Sequence, residues 1–75
     1  MQKTRSDEEM VWKIIELVGE SPDSWSAAIK NAVTDASKTI RGIKRCSAEE
    51  FDVKIENDKI VAYRVRCKIV FEIER

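Results

Sequence analysis

The stretch Ala62 to Glu74, AYRVRCKIVFEIE, sets Tyr63, Val65, Cys67, Ile69, Phe71 and Ile73 in alternation with Arg64, Arg66, Lys68 and Glu72. Side chains on a strand point alternately to its two faces, so this nearly unbroken period of two predicts a strand with one face in a core and the other charged. Working back from it, Asn57-Asp58 is a turn signal between Ile60–Ile73 and a second extended run, Lys44–Ile55, so the two runs are expected to form an antiparallel hairpin.

Further upstream the period changes. Trp25, Ala28, Ile29, Ala32, Val33, Ala36 and Ile40 recur at three- and four-residue spacing, while Lys30, Asn31, Asp35 and Lys38 fall off that stripe. This is one apolar face of a helix. Ser21-Pro22-Asp23-Ser24 supplies its start: Ser21 is placed to cap the orphan amides, Pro22 suits the first helical position and Asp23 complements the dipole. The helix is expected to reach about Arg41 and to end in a left-handed cap at Gly42. Before it, Met10–Val18 (MVWKIIELV) is rich in β-branched and aromatic residues and stops at Gly19, which predicts a first strand.

The order strand, helix, strand, strand makes the first two strands parallel across the helix, with room between them for the third, antiparallel to both. The predicted fold is α+β: a βαββ unit whose three-stranded antiparallel sheet wraps around one helix. Its charged sheet face has no second layer within the chain, so water or another subunit must cover it.

The sequence has 75 residues, 43% hydrophobic and 37% charged, which fits one small domain without a membrane span. Residues 1–9 (MQKTRSDEE) read as a flexible tail without the features of a signal peptide or an anchor, and residues 10–75 as the domain. Fourteen basic and fourteen acidic residues cancel, so nothing marks the chain for nucleic acid or a membrane surface. Histidine is absent, which removes the commonest general base and metal ligand. Cys46 and Cys67 form no metal or redox motif, and a reducing, cytoplasmic setting is the expectation. No carboxylate pair has a nucleophile or oxyanion motif around it, so the chain reads as a non-enzyme. A core this small rarely supplies more than about 3–5 kcal/mol; with disulfides and a structural metal set aside, oligomerisation is the remaining common staple.

Taken together, VWKIIELVGESPDSW (Val11–Trp25), KTIRGIK (Lys38–Lys44) and the closing AYRVRCKIVFEIE resemble the dodecins, over about Met10 to Glu74. The resemblance implies a hollow homododecamer that binds flavins between subunits and stores or protects them without turnover. Flavin-binding dodecins carry a tryptophan at the start of the second strand, which stacks on the flavin ring, and a glutamine after the tyrosine of the last strand, which hydrogen-bonds its edge. Here those positions are Arg45 and Arg64. A subset without the tryptophan, linked to calcium, has an SPxSW helix start similar to Ser21–Trp25. The ligand is therefore open between flavin, calcium and a small anionic or aromatic molecule, and the purely structural alternative is a self-assembling shell with vestigial sites.

Arg45, Arg64 and the neighbouring Lys44 are the candidate ligand-binding residues. Arg64, Arg66 and Lys68 project from one strand face at a spacing suited to a phosphate or carboxylate. The competing assignment is an ion-pair network between subunits with Glu16, Glu49 or Glu72. Asp7-Glu8-Glu9 and Glu49-Glu50 are possible oxygen ligands for a hard cation, although neither has a regular ligand spacing. Trp25 is assigned to the core, and Trp12 either to a subunit contact or, with Trp25, to a stacking platform. A three-residue loop, Asn57-Asp58-Lys59, would put Phe51 opposite Val65 and Cys46 on the face away from Cys67; a two-residue turn would make the cysteines diagonal neighbours. Neither geometry suits a disulfide.

Overall fold

The computed structural model describes residues 11–73, so the expected tail 1–9, with its Asp7-Glu8-Glu9 run, and a strand start at Met10 lie outside the described residues. Strand β1 spans Trp12–Ser21, helix α1 Trp25–Ala36, β2 Ile43–Glu56 and β3 Lys59–Glu72. The three strands form one antiparallel sheet in the order β1-β3-β2, so the βαββ architecture is the one expected. β3 is central, and β1 and β2 each leave one edge unpaired within the chain.

The helix begins and ends later and earlier than the sequence suggested. Ser24, not Ser21, is the N-cap: its backbone is extended (φ −171°) and its hydroxyl accepts the Ala27 amide at 3.0 Å. Ser21 stays in β1 opposite Tyr63, where its buried hydroxyl accepts the Asp23 amide at 3.0 Å, so Pro22 and Asp23 precede the helix. At the other end the helix closes at Ala36. Ser37 turns its hydroxyl back on the Thr34 carbonyl at 2.8 Å, and the amides of Lys38 and Thr39 reach only three residues back. Gly42 is left-handed (φ 75°) but leads into β2, where its carbonyl accepts the Glu72 amide.

The core lies between the small-residue face of α1 and one face of the sheet. Ala28 and Ala32 are buried against Val65 and Cys67 of β3, with Leu17, Ile29 and Cys46 packed around this cluster, and Ala36 and Ile69 are buried as well. Alanines allow close approach, and the closest is at Gly19: a Cβ there would overlap the Ala28 carbonyl oxygen and come within 3.0 Å of Ala32 Cβ. Burial of Val65 and Ile69 contributes about 1.5–3 kcal/mol each. They are the only large aliphatic side chains fully buried among the described residues, so this core is small.

The hairpin register carries the main departure from the expected pairing. The turn has two residues, Asn57 (φ 52°) and Asp58 (φ 63°), between the paired Glu56 and Lys59, as in a type I′ turn. One extra residue on β3, Val61, then shifts the register so that Phe51 still pairs with Val65. One extra residue on β2, Glu49, shifts it back, so Ala48 pairs with Cys67 and Cys46 with Ile69. Cys46 therefore lies on the helix side, diagonal to Cys67, and not on the opposite face as the three-residue loop would require. Both are free thiols.

Candidate functional site

The outer face of the sheet, away from α1, is built as rows of three residues across β1, β3 and β2. From one end the rows are Ile14–Val70–Arg45, Glu16–Lys68–Ser47, Val18–Arg66–Glu50 and Glu20–Arg64–Asp52. Nothing in the described chain covers them. Ile14 is 56% exposed and Val18 61%, and Trp12, opposite Glu72 on the same face, is 46% exposed. A single sheet face thus combines large apolar side chains with alternating charge.

Arg64 is held by its own chain. Its Nε donates to Asp52 Oδ1 at 3.0 Å and its Nη2 to Asp52 Oδ2 at 3.4 Å, a two-pronged ion pair, while Glu20 flanks it on the other strand. The hydrogen bond from Arg64, helped by its charge, holds the Asp52 carboxyl below the usual range and is opposed by desolvation. The same contact, with further help from Glu20, raises the Arg64 guanidinium. Arg66 Nη2 lies 2.8 Å from Glu50 Oε1. Within the chain, the arginines therefore pair with Asp52 and Glu50. Glu16 does stand beside Lys68. Both pairs are exposed and contribute little to stability.

Arg45 lies on the same face but opposite Val70, six residues along β3 from Arg64, a separation of about 20 Å at ~3.3 Å per residue. Lys44 is the extra residue of a further register shift beside it. The three candidate residues do not converge within one chain: Arg45 and Lys44 stand exposed at the start of β2, and Arg64 stands near the hairpin end. A ligand touching both ends would have to be held between chains.

Trp25 is not a core residue. It is 40% exposed at the first turn of α1, in edge-to-face contact with Phe51 (5.9 Å) and Tyr63 (5.2 Å), and its Nε1 donates to the Asp52 carbonyl at 3.0 Å. It ties the helix start to the strand that carries the Arg64 ion pair. The apolar positions hold the signal for this cluster: Cys46 and Ala48 are even-numbered, whereas Phe51, Val53 and Ile55 are odd, so an extra residue must fall between Ala48 and Phe51 if both sets face the helix.

For a cation, Glu49 accepts the Ser47 hydroxyl at 2.6 Å and Glu50 is engaged by Arg66, and no group of three metal-ligating side chains occurs among the described residues. No described helix is long and apolar enough to cross a membrane.

A family model described as Dodecin matches residues 11–74. The chain is 29% identical over 63 residues to the calcium dodecin of Mycobacterium tuberculosis, covering 84% of this chain and 89% of that protein. Among solved structures, the dodecin of Streptomyces coelicolor superposes with a TM-score of 0.85 at 32% identity, over 88% of this chain and 94% of that one. The M. tuberculosis calcium dodecin, described as calcium-chelating with a calcium-binding site, superposes with a TM-score of 0.77 at 28% identity, over 85% and 91% of the two chains.

Proposed function

This chain belongs to the dodecin family, and from that premise we propose that it is a non-enzymatic protein that assembles into a hollow homododecamer and binds or stores a small ligand between its subunits. One observation carries the reading: the uncovered outer face, where Trp12, Ile14 and Val18 stand exposed beside a core that, among the described residues, has only two large fully buried aliphatic side chains. A soluble chain gains most by burying such a face against copies of itself, and closed symmetry is the usual arrangement. In such an assembly Arg45 and Arg64, about 20 Å apart in one chain, would meet a common small ligand across an interface.

At that interface Arg45 and Lys44 provide cations that Arg64, already paired with Asp52, does not. The ligand favoured is a small anionic or aromatic molecule rather than riboflavin held as in flavin-binding dodecins. Calcium is the second reading, favoured by the M. tuberculosis relative, and it would need carboxylates from more than one subunit. The site of action is the cytoplasm, with neither nucleic acid nor membrane as partner.

Light scattering coupled to size exclusion tests the assembly. Twelve copies of the 8.7-kDa chain give about 104 kDa, and Val18→Asp on the outer face should lower that mass. A stable wild-type monomer at micromolar concentration would overturn the reading. Mass spectrometry of small molecules released from the gently purified oligomer then identifies the ligand.

A further inference from the structure

The early end of α1 leaves a second concavity, distinct from the outer face. The chain from Thr39 to Arg41 crosses one end of the sheet and, with Lys13 of β1 and Phe71 to Ile73 of the β3 end, borders an open, shallow cleft of about 300 Å³. Phe71 forms its floor, since it pairs with Lys13 on one side and Ile43 on the other, on the helix side of the sheet. Ile40 adds a half-buried apolar wall.

The charge around this cleft is one-sided. From Lys38 to Arg45 the chain carries four cations and no acid, whereas Glu49 to Asp58 carries five acids and one cation, so the balanced total hides opposite ends. Among the described residues the ion pairs are Lys38–Asp35, Lys54–Glu56, Arg64–Asp52 and Arg66–Glu50; neither Lys13 nor Arg41 takes part. Glu72 also borders the cleft, but its position opposite Trp12 puts it on the outer face of the sheet, so Lys13 and Arg41 are the charged residues on the cleft's own side.

From these observations we infer that the cleft binds a small organic anion, a carboxylate carried on a flat or aliphatic body. Arg41 offers the planar fork that matches a carboxylate, Lys13 adds a point charge, and Phe71 with Ile40 receives the apolar body. The cleft is formed within one chain, so the inference stands apart from the assembly and from the ligand of the outer face.

Isothermal titration of the assembled protein with benzoate, and in parallel with uncharged benzamide, tests it. Saturable benzoate binding is expected, weakened about tenfold or more in Arg41→Gln and in Lys13→Gln, partly retained in Arg41→Lys and unchanged in Lys59→Gln at the distant turn. Tenfold corresponds to about 1.4 kcal/mol. Both cleft cations are exposed, and circular dichroism confirms that the variants fold. No saturable binding to the wild type, equal binding in Arg41→Gln and Lys13→Gln, or binding of benzamide as tight as that of benzoate would overturn the inference.

Discussion

Gly19 of β1 lies directly beneath the backbone carbonyl of Ala28, so the helix and the sheet meet at a point where no side chain fits. The obstruction is main chain, which cannot rotate away. Gly19→Ala must therefore push α1 off the sheet or bend β1, and overpacking of this kind costs about 1–3 kcal/mol. Denaturant unfolding should show a lower midpoint with an unchanged slope. An unchanged midpoint would mean that the helix can shift freely.

The Arg64–Asp52 pair makes a pH-dependent contribution of definite sign. The Asp52 carboxyl is held below its ordinary value of 3.8, so the folded state releases that proton more readily than the unfolded chain. The stabilisation is present above about 3.8 and is lost as pH falls through the depressed value. Carboxyl chemical shifts followed by NMR should place the Asp52 titration below 3.8 in the wild type and higher in Arg64→Gln. Both side chains are exposed, so salt should reduce the difference.

Cys67 should be an unreactive thiol. Burial, with the neighbouring Cys46 thiol adding to it, pushes its pKa to about 11, and the side chain is fully buried. At pH 8 in native buffer, an alkylating reagent should modify half-buried Cys46 first and Cys67 only after unfolding. Because the folded pKa lies above the ordinary value of 9.0, stability is retained below pH 9 and declines as pH rises toward 11. Equal labelling rates for the two thiols would contradict the packing.

Riboflavin affinity tests whether positions 45 and 64 govern ligand choice. Arg45 replaces an indole face with a hydrated cation, and Arg64 can donate but not accept a hydrogen bond while already engaged by Asp52. The stacking difference is worth about 0.5–1.5 kcal/mol and an unpaired buried group about 1–3 kcal/mol. Arg45→Trp with Arg64→Gln should therefore tighten riboflavin binding by tenfold or more, read by quenching of flavin fluorescence. Tight wild-type binding that the double change leaves alone would show that other residues select the ligand.

The alternation in Tyr63–Ile73, the alanine stripe of Ala28, Ala32 and Ala36 and the Asn57-Asp58 turn determined the βαββ order and the face that meets the helix, because periodicity and turn conformation are local properties. Three outcomes were decided only in the folded chain. Ser24 took the cap because Ser21 is committed to β1 opposite Tyr63, a choice made by strand pairing across the sheet. Trp25 left the core for Phe51 and Tyr63 because the stripe is built of alanines that bring α1 too close to the sheet to admit an indole between them. The ion-pair partners and the face of Cys46 were set by the extra residues Val61 and Glu49, which slide the register by one and then restore it. A slip of one residue exchanges the faces of a strand, yet the residues that make it are ordinary in type, and only the change of parity between Ala48 and Phe51 marks the one at Glu49; packing against α1 selects the register that puts Phe51 and Cys46 on one side and leaves Asp52 opposite Arg64.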